Sequence, residues 1–590
     1  MCVLKGIGRP EGVLQRKEHP LASSVISSLM AGVSAVGYRV DHNAFEPLLL
    51  KESSDLLNLL VSESRPCFLI FILISLPVTR GDIFTSIADL QRLLYTEKDI
   101  PEIINSYIAA ENERLENLKS VADKYKINND ELQNNLQSVS NPINAFRMIK
   151  RLTNAWKELE EKMKSDTAEE LIQNVSRSGN TLFPSNDDLS GAVIGLLRLQ
   201  DTYRLDTRDL ANGILNGKKI SKEFTAFDCF EIGRMAYNAE DYYHTLMWME
   251  EALERSKKET PPTSTEADIL EYLAFALYKQ GNVKKALQET DRLYQIHPAH
   301  PRAKGNIKWY EDQLASEGIR RSDFRRNVPP VDNPRPVDNL ENSERNIYEA
   351  LCRNEVPVSV KETSKLYCYY KMDRPFLRLA PFKVEILRFN PLAVLFIGVM
   401  SEEETDMIQE LAKPKLARAT VQNSVTGQLE TASYRISKSA WLKGTDAEVV
   451  DRINKRMDLM TNLEMETAEE LQIANYGIGG HYDPHYDFAR MTQPEAGGGT
   501  VFTELKSAIQ PSKNNALFWY NLHRNGEGDL RTRHAACPVL LGVKWISNKW
   551  IHEKGQEFRR PCGLKPSTFE RYVGDLGAPE PRHSWNVSPY

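Results

Sequence analysis

Apolar positions along this chain change their spacing several times, and each change marks a different kind of element. From Ile83 to about Asp166 they recur every three or four residues, as in Ile87, Leu90, Leu93 and Leu94, then Ile103, Ile104, Tyr107 and Ile108. That period, continued by the charged stretch Glu111 to Lys119, predicts long helices with coiled-coil character. From Asp228 to about Leu314 the apolar faces broaden and small residues stand where helices would cross: Phe230 to Tyr237 before Tyr242 to Leu253, then Tyr272 to Tyr278 before Gly281 to Leu287, with Pro298 following. This predicts two helix–turn–helix units. Residues 320–342, with prolines at 329, 330, 334 and 336, read as a polar linker. Beyond about Glu344 the chain mixes helices near Glu402–Ala412 and Ala447–Met460 with β-rich aromatic runs, Ala516–Tyr520 and Trp545–Ile551, suited to a barrel core.

One run breaks these patterns. Cys67 to Pro77 is continuously apolar, has signal-peptide length, follows Arg65 and precedes the small or polar residues Thr79 to Gly81. It is too short to span a bilayer comfortably, so residues 65–81 read as a signal-like segment, the alternative being a buried strand or core helix. Residues 1–64 show no periodicity and form an unassigned extension.

Composition changes this picture little. A 590-residue chain with 41% hydrophobic and 26% charged residues and a net charge of −6 is an ordinary multidomain globular protein. It has no basic stripe, which argues against nucleic acid as a partner. Asn174-Val-Ser176 is an acceptable glycosylation sequon, and Asn586-Val-Ser588, followed by proline, a poorer one.

The candidate chemistry lies in His481-Tyr-Asp-Pro-His-Tyr-Asp-Phe488 together with His534 and Lys544. Residues two apart on a strand share a face, so His485 and Asp487 are expected to converge, and His534 supplies a second imidazole. Two histidines and one carboxylate form the facial triad of non-haem Fe(II) oxygenases, leaving positions open for other ligands. Lys544, ten residues on, is a cation placed to hold an acidic co-substrate, since a buried carboxylate without a partner is costly. A lone His-x-Asp on a strand is more often a solvated pair than a metal site; it is the order His-x-Asp, distal His, then Lys that points to metal.

Several stretches, namely Leu471-Gln-Ile-Ala-Asn-Tyr-Gly-Ile-Gly-Gly480, the His485/Asp487 pair, Gly526-Glu-Gly-Asp529, Thr532-Arg-His-Ala-Ala-Cys-Pro538 and Ser547-Asn-Lys-Trp-Ile-His-Glu553, resemble the alpha subunits of collagen prolyl 4-hydroxylases. The likeness runs from about Ile83 to near Cys562. It implies an α+β multidomain chain: an N-terminal helical dimerisation region (82–215), a tetratricopeptide-like peptide-binding domain (225–316), a linker (317–343), a double-stranded β-helix or jelly-roll oxygenase domain (344–565) and a tail (566–590). The implied activity is hydroxylation of proline in X-Pro-Gly repeats with Fe(II), 2-oxoglutarate, O2 and ascorbate. His485, Asp487 and His534 would hold iron and Lys544 the distal carboxylate of 2-oxoglutarate, with Tyr476 and Thr500 as further candidates in that pocket. The helical module would bind a proline-rich, polyproline II substrate such as procollagen through tyrosines, candidates being Tyr237, Tyr243, Tyr272 and Tyr278, although aromatics there equally suit helix packing.

The same resemblance implies disulfides Cys352–Cys368 and Cys537–Cys562, which require an oxidising compartment; free thiols are the cytosolic alternative. It further implies the endoplasmic reticulum lumen and assembly with protein disulfide isomerase in an α2β2 tetramer. One departure stands out. The family carries a strand-forming stretch, on the order of twenty residues, between the His-x-Asp strand and the Gly-Gly turn. Here Gln493-Pro-Glu-Ala496 runs straight into Gly497, and His534 follows His485 by only 49 positions. The expectation is a jelly roll lacking one strand; beside the hydroxylase reading this sets an alternative, a subunit that binds peptide and assembles but is catalytically impaired.

Overall fold

The computed structural model describes residues 82–133, 142–164, 183–336, 343–422, 428–485 and 496–565. All of them fall in one compact unit. The extension 1–64, the signal-like segment 65–81, Asn174, Asp487 and the tail 566–590 lie outside the described residues.

The apolar stripe after Ile83 becomes α1 (Ile87–Gln133), 47 residues long. The chain returns through α2 (Pro142–Lys150) and α3 (Trp156–Lys164). Tyr125 donates its hydroxyl to the Arg151 carbonyl, and Arg114 reaches the Lys162 carbonyl, so the two arms form an antiparallel hairpin. Leu94, Ile104 and Ile108 on α1, and Phe146 and Trp156 on the return arm, remain exposed.

Next come α4 (Asn186–Tyr203), opened by a Ser185/Asp188 capping box, α5 (Thr207–Ala211) and a small hairpin of β1 (Ile214–Leu215) and β2 (Lys218–Lys219). The paired helices predicted from Asp228 onward are α6 (Ala226–Asn238), α7 (Tyr242–Ser256), α8 (Glu266–Lys279), α9 (Val283–Ile296) and α10 (Ala303–Ser316). Thr225, Asp241 and Thr265 cap the first three by accepting from backbone N–H groups three residues on. Trp248, Leu273 and Leu277 fill their shared core, and Trp248 donates to Gln200 of α4, which joins that helix to the same body. The stretch read as a linker is polar but lies on this core: Phe324 is buried in it, and Asn282 binds the Asp332 backbone on both sides of its amide.

The C-terminal half contains α11 (Glu344–Cys352), α12 (Val360–Thr363), α13 (Glu402–Ala412) and α14 (Glu448–Thr461). Its strands in chain order are β3 (Cys368–Lys371), β4 (Phe382–Phe389), β5 (Leu392–Ile397), β6 (Ala417–Arg418), β7 (Thr420–Gln422), β8 (Leu429–Thr431), β9 (Lys438–Leu442), β10 (Leu471–Asn475), β11 (Tyr482–His485), β12 (Ala496–Gly497), β13 (Thr500–Phe502), β14 (Ser507–Ile509), β15 (Ala516–Trp519), β16 (His534–Ala536), β17 (Val539–Leu541) and β18 (Trp545–Asn548). The four-stranded sheets are ordered β11-β16-β13-β14, β18-β10-β9-β6 and β15-β5-β4-β3, all antiparallel. Ala474 and Ile546 from the second, Leu517 and Trp519 from the third, and Phe502 and Ala536 from the first share one core. The first sheet therefore faces a layer made of the other two. Among the described residues no ladder joins β15 to β18, so that layer consists of two half-sheets.

The cysteine pairing differs from the expectation. Cys352 is bonded to Cys537, with 5.6 Å between Cα atoms, while Cys368 and Cys562 are exposed free thiols. The reason is the packing of α11. Tyr348, Leu351 and Cys352 lie against Val501, Ala535 and Cys537, and the Tyr348 hydroxyl donates to the Ala536 carbonyl. Cys368 instead opens the outer edge strand β3, and Cys562 lies beyond the last strand.

Candidate active site

The core between the layers holds the histidines. On neighbouring antiparallel strands His485 of β11 is the direct partner of His534 of β16, and His534 is also the partner of Phe502 on β13. The imidazole centroids are 4.8 Å apart. A register shift in β11 lets Tyr482, three residues before His485, stack on it at 3.2 Å, where a regular strand would send the two to opposite faces. Phe502 and Trp519 wall in His534 at 5.5 and 5.0 Å.

Both rings are oriented by the backbone. His485 Nδ1 meets the Asp483 carbonyl at 2.5 Å, and His534 Nδ1 meets the Thr532 carbonyl at 2.6 Å. A carbonyl only accepts, so Nδ1 carries the proton and the lone pair sits on Nε2. Burial drives both pKa values well below the usual histidine value, with His534 itself adding to the effect on His485. Two neutral imidazoles, each tied at Nδ1 and offering Nε2, are the donor type a divalent metal takes. The third expected ligand, Asp487, lies outside the described residues, and among those residues no group of three His, Cys, Asp or Glu is assembled.

The other candidates reach the same core. Thr500, two residues before Phe502 on β13, shares the inner face of the histidine sheet. Across from it, Lys544 lies two residues before Ile546 and Tyr476 two residues after Ala474, both on inward positions. Lys544 is 1% exposed and its ammonium stands 4.4 Å from the Tyr476 ring centroid, a cation–π contact. The Tyr476 N–H donates to the Lys544 carbonyl. A cavity of about 670 Å³ opens beside this core, with Phe502, Trp519, Thr532 and Arg388 among its walls.

On the helical module, Tyr237, Tyr272 and Tyr278 fall in one half-buried array. Tyr237 meets Tyr272 edge-on at 4.9 Å and Phe275 at 5.5 Å, and Phe275 meets Tyr278 at 5.9 Å. Tyr243, expected in the same set, stands outside the array, and the tyrosine that joins it is Tyr242, 5.9 Å from both Tyr237 and Phe275 and covered by the Lys279 ammonium. Tyr243 lies one helical position away, its carbonyl accepting from Asn333. Tyr242 and Phe275 in this array, and Tyr482 stacked on His485, are not among the residues expected from the sequence. Helical spacing from Tyr272 and Tyr278 was the available signal for Phe275.

Residues 86–217 match the N-terminal region of the prolyl 4-hydroxylase alpha subunit, 226–316 the prolyl 4-hydroxylase peptide-substrate-binding domain, and 471–552 the 2OG-Fe(II) oxygenase superfamily. The chain is 61% identical over 534 residues to prolyl 4-hydroxylase subunit alpha-1 of Caenorhabditis elegans, covering 86% of this chain and 96% of that one. This chain belongs to the prolyl 4-hydroxylase alpha-subunit family. It is also 42% identical over 527 residues to subunit alpha-1 of Homo sapiens, covering 84% of this chain and 98% of the relative. A viral collagen prolyl hydroxylase from Paramecium Bursaria Chlorella virus-1, solved with 2OG, matches 27% of this chain and 94% of its own at 25% identity and a TM-score of 0.22.

The two coverages differ in an informative way. The worm alignment has 534 positions but takes in 86% of 590 residues, about 507, so about 27 positions of the relative have no counterpart here. The human alignment gives about 31 by the same reckoning, 527 positions against 84% of 590, or about 496. These totals of unmatched positions, about 27 and about 31, are comparable with the stretch of roughly twenty residues that the resemblance implies.

Proposed function

We propose that this prolyl 4-hydroxylase alpha subunit hydroxylates C4 of proline in X-Pro-Gly repeats of procollagen-like chains, coupled to oxidative decarboxylation of 2-oxoglutarate. The observation that carries this is the oriented pair His485/His534 sharing one core with Lys544 and Tyr476. His485, His534 and Asp487 would hold Fe(II), which when bound lets O2 be reduced as 2-oxoglutarate is converted to succinate and CO2, with ascorbate returning spent iron to the ferrous state. Lys544 supplies the charge for the distal carboxylate in a buried, low-dielectric position where an unpaired carboxylate would not be tolerated. Phe502 and Trp519 keep the space beside His534 dry. The aromatic array of α6 to α8 offers ring faces to the prolines of a polyproline II ligand.

Several further expectations belong to this proposal. The Cys352–Cys537 bond and the signal-like residues 65–81 support an oxidising lumen, namely the endoplasmic reticulum. The exposed stripe of α1 supports dimerisation, and protein disulfide isomerase is the partner expected for the α2β2 assembly. No helix among the described residues is long and apolar enough to cross a membrane.

A second reading, an impaired subunit that still binds peptide and assembles, is favoured by the shortening expected between Ala496 and Gly497, with about 27 positions of the worm relative unmatched over the whole alignment. One experiment separates the two. The 590-residue chain is co-expressed with protein disulfide isomerase and assayed for 2-oxoglutarate decarboxylation on a proline-rich peptide. In parallel, a chain carrying the relative's extra stretch between Ala496 and Gly497 is assayed. Turnover only by the restored chain supports the second reading; equal turnover removes it; turnover by neither removes the enzyme reading.

A further inference from the structure

The loop between the two catalytic strands β10 and β11, Tyr476-Gly-Ile-Gly-Gly480, is gripped by parts of the chain far away in sequence. On one side lies the short segment that precedes α1. The Ile478 N–H donates to the Phe84 carbonyl at 3.1 Å, and a Cβ at Gly477 would overlap that carbonyl. On the other side α4 approaches so closely that Gly195 abuts the Ile478 carbonyl, and the Arg198 guanidinium donates to the Gly479 carbonyl at 3.1 Å. Thr85 and Ser86 are fully buried in this contact.

At the centre of the grip is Asn475, the last residue of β10, also fully buried. Its Oδ1 accepts from the Ser86 hydroxyl at 2.8 Å and from the Ala88 N–H at 3.1 Å, and its Nδ2 donates to the Lys544 carbonyl at 3.4 Å. The Ala88 N–H belongs to the first turn of α1, whose donors have no partner within the helix. A side chain 387 positions away therefore caps that helix, in the role a local asparagine would normally play. Asp89 adds an ion pair, 2.7 Å and largely buried, to Lys438 on β9, the register partner of Asn475.

We infer that residues Asp82 to Asp89 brace β10 from the face opposite Tyr476, with Asn475 as the positioning residue that ties the first turn of α1 to Lys544. The inference rests on the reading of Lys544 as the 2-oxoglutarate lysine. The Lys544 carbonyl is fixed by two donors, the Tyr476 N–H and Asn475 Nδ2. The placement of the buried ammonium over Tyr476 is thus set partly from the N-terminal region. The strand end that carries Tyr476 and the base of the long helical arm are held together, and an oxygenase domain cut out from Glu344 onward would lack this brace.

The test uses the full chain with three variants. Asn475→Asp keeps both acceptor contacts and loses the donor to Lys544; Ser86→Ala removes one N-terminal contact and touches nothing at Lys544; Lys544→Ala removes the charge. Hydrogen exchange is followed at the Tyr476–Gly480 and Lys544–Asn548 amides, and 2-oxoglutarate affinity by calorimetry on the metal-loaded chain. Both positioning variants should speed exchange in those two stretches and weaken 2-oxoglutarate about tenfold for Asn475→Asp, less for Ser86→Ala, with peptide affinity unchanged. Unchanged exchange in both variants overturns the inference, as does faster exchange with unchanged affinity when Lys544→Ala abolishes binding. If Lys544→Ala leaves affinity unchanged, the reading of Lys544 fails, and faster exchange still upholds the tie itself. Should Asn475→Asp not fold, Ser86→Ala alone decides.

Discussion

His244 shows how far a single residue depends on sequence-distant partners. It is 2% exposed at the start of α7, with Nδ1 against Asp241 at 2.6 Å and Nε2 against Asp201 of α4 at 3.1 Å. Burial pulls its pKa down, but the two carboxylates outweigh burial and hold it at about 9. The folded chain thus binds this proton more tightly than the unfolded one, whose histidine titrates near 6.5. The stabilisation is complete below about pH 6.5 and is lost as pH rises through about 9, and it amounts to roughly 1–3 kcal/mol. The melting temperature of the helical body should therefore fall between pH 7 and 9.5, and His244→Gln should melt lower at pH 7 and show a flatter profile. An unchanged slope in the variant would mean that other groups set it. Nothing in the sequence announces this residue, because Asp201 lies 43 positions away on another helix. Tyr482 was hidden for a different reason: its stacking on His485 depends on a bulge, and period-two counting places the two rings on opposite faces. The histidines themselves were legible because the chemistry demands their residue types in a fixed order.

At the scale of elements, the groove of α6 to α8 and the bridge from α11 to β16 make separate predictions. If peptide lies along the aromatic array, Tyr237→Ala and Phe275→Ala should weaken a proline-rich peptide about tenfold, the loss of a central aromatic contact. Tyr243→Ala, outside the array, should change affinity less than about twofold, as read by fluorescence titration. Equal losses at Tyr243 and Phe275 would displace the groove. Tyrosine spacing revealed which helices carry the array; which face they present was settled only by packing. The Cys352–Cys537 bond closes 185 residues and fixes α11 across the strand that bears His534. In the chain-entropy view its loss costs about 5 kcal/mol. Non-reducing peptide mapping should find Cys352 linked to Cys537, and reductant should lower the melting of the C-terminal half while sparing the histidine-clamped helices. A Cys537–Cys562 peptide would return the pairing to the one the family resemblance implies.

For the whole molecule, helical periodicity and β-rich runs made the order of the parts readable, but not how they are joined. The joint is a chain of charged side chains: Arg335 bridges Asp201 and Glu349, Glu349 is held again by Arg345, and Arg345 reaches Asp483 on β11. No local pattern encodes such a chain, since its members come from α4, the supposed linker, α11 and β11. The long arm poses the complementary question, because its apolar side is not used up within one chain. Leu94, Ile108 and Leu115 stand seven or fourteen positions apart on α1, with Ile104 beside Ile108, and all four are exposed. Sevenfold spacing is the signature of a helix that buries its stripe against another helix. Two such stripes from two copies would bury one another, while the first turn of each α1 stays anchored at Asn475. Replacing both Ile104 and Ile108 by Glu places like charges across that seam. The variant should elute as a single alpha subunit by light scattering where the parent elutes as a pair, with peptide affinity and the pH profile set by His244 unchanged. A paired Glu variant would put the contact elsewhere, and the exposed face of α2 and α3, with Phe146 and Trp156, would be the next surface to charge.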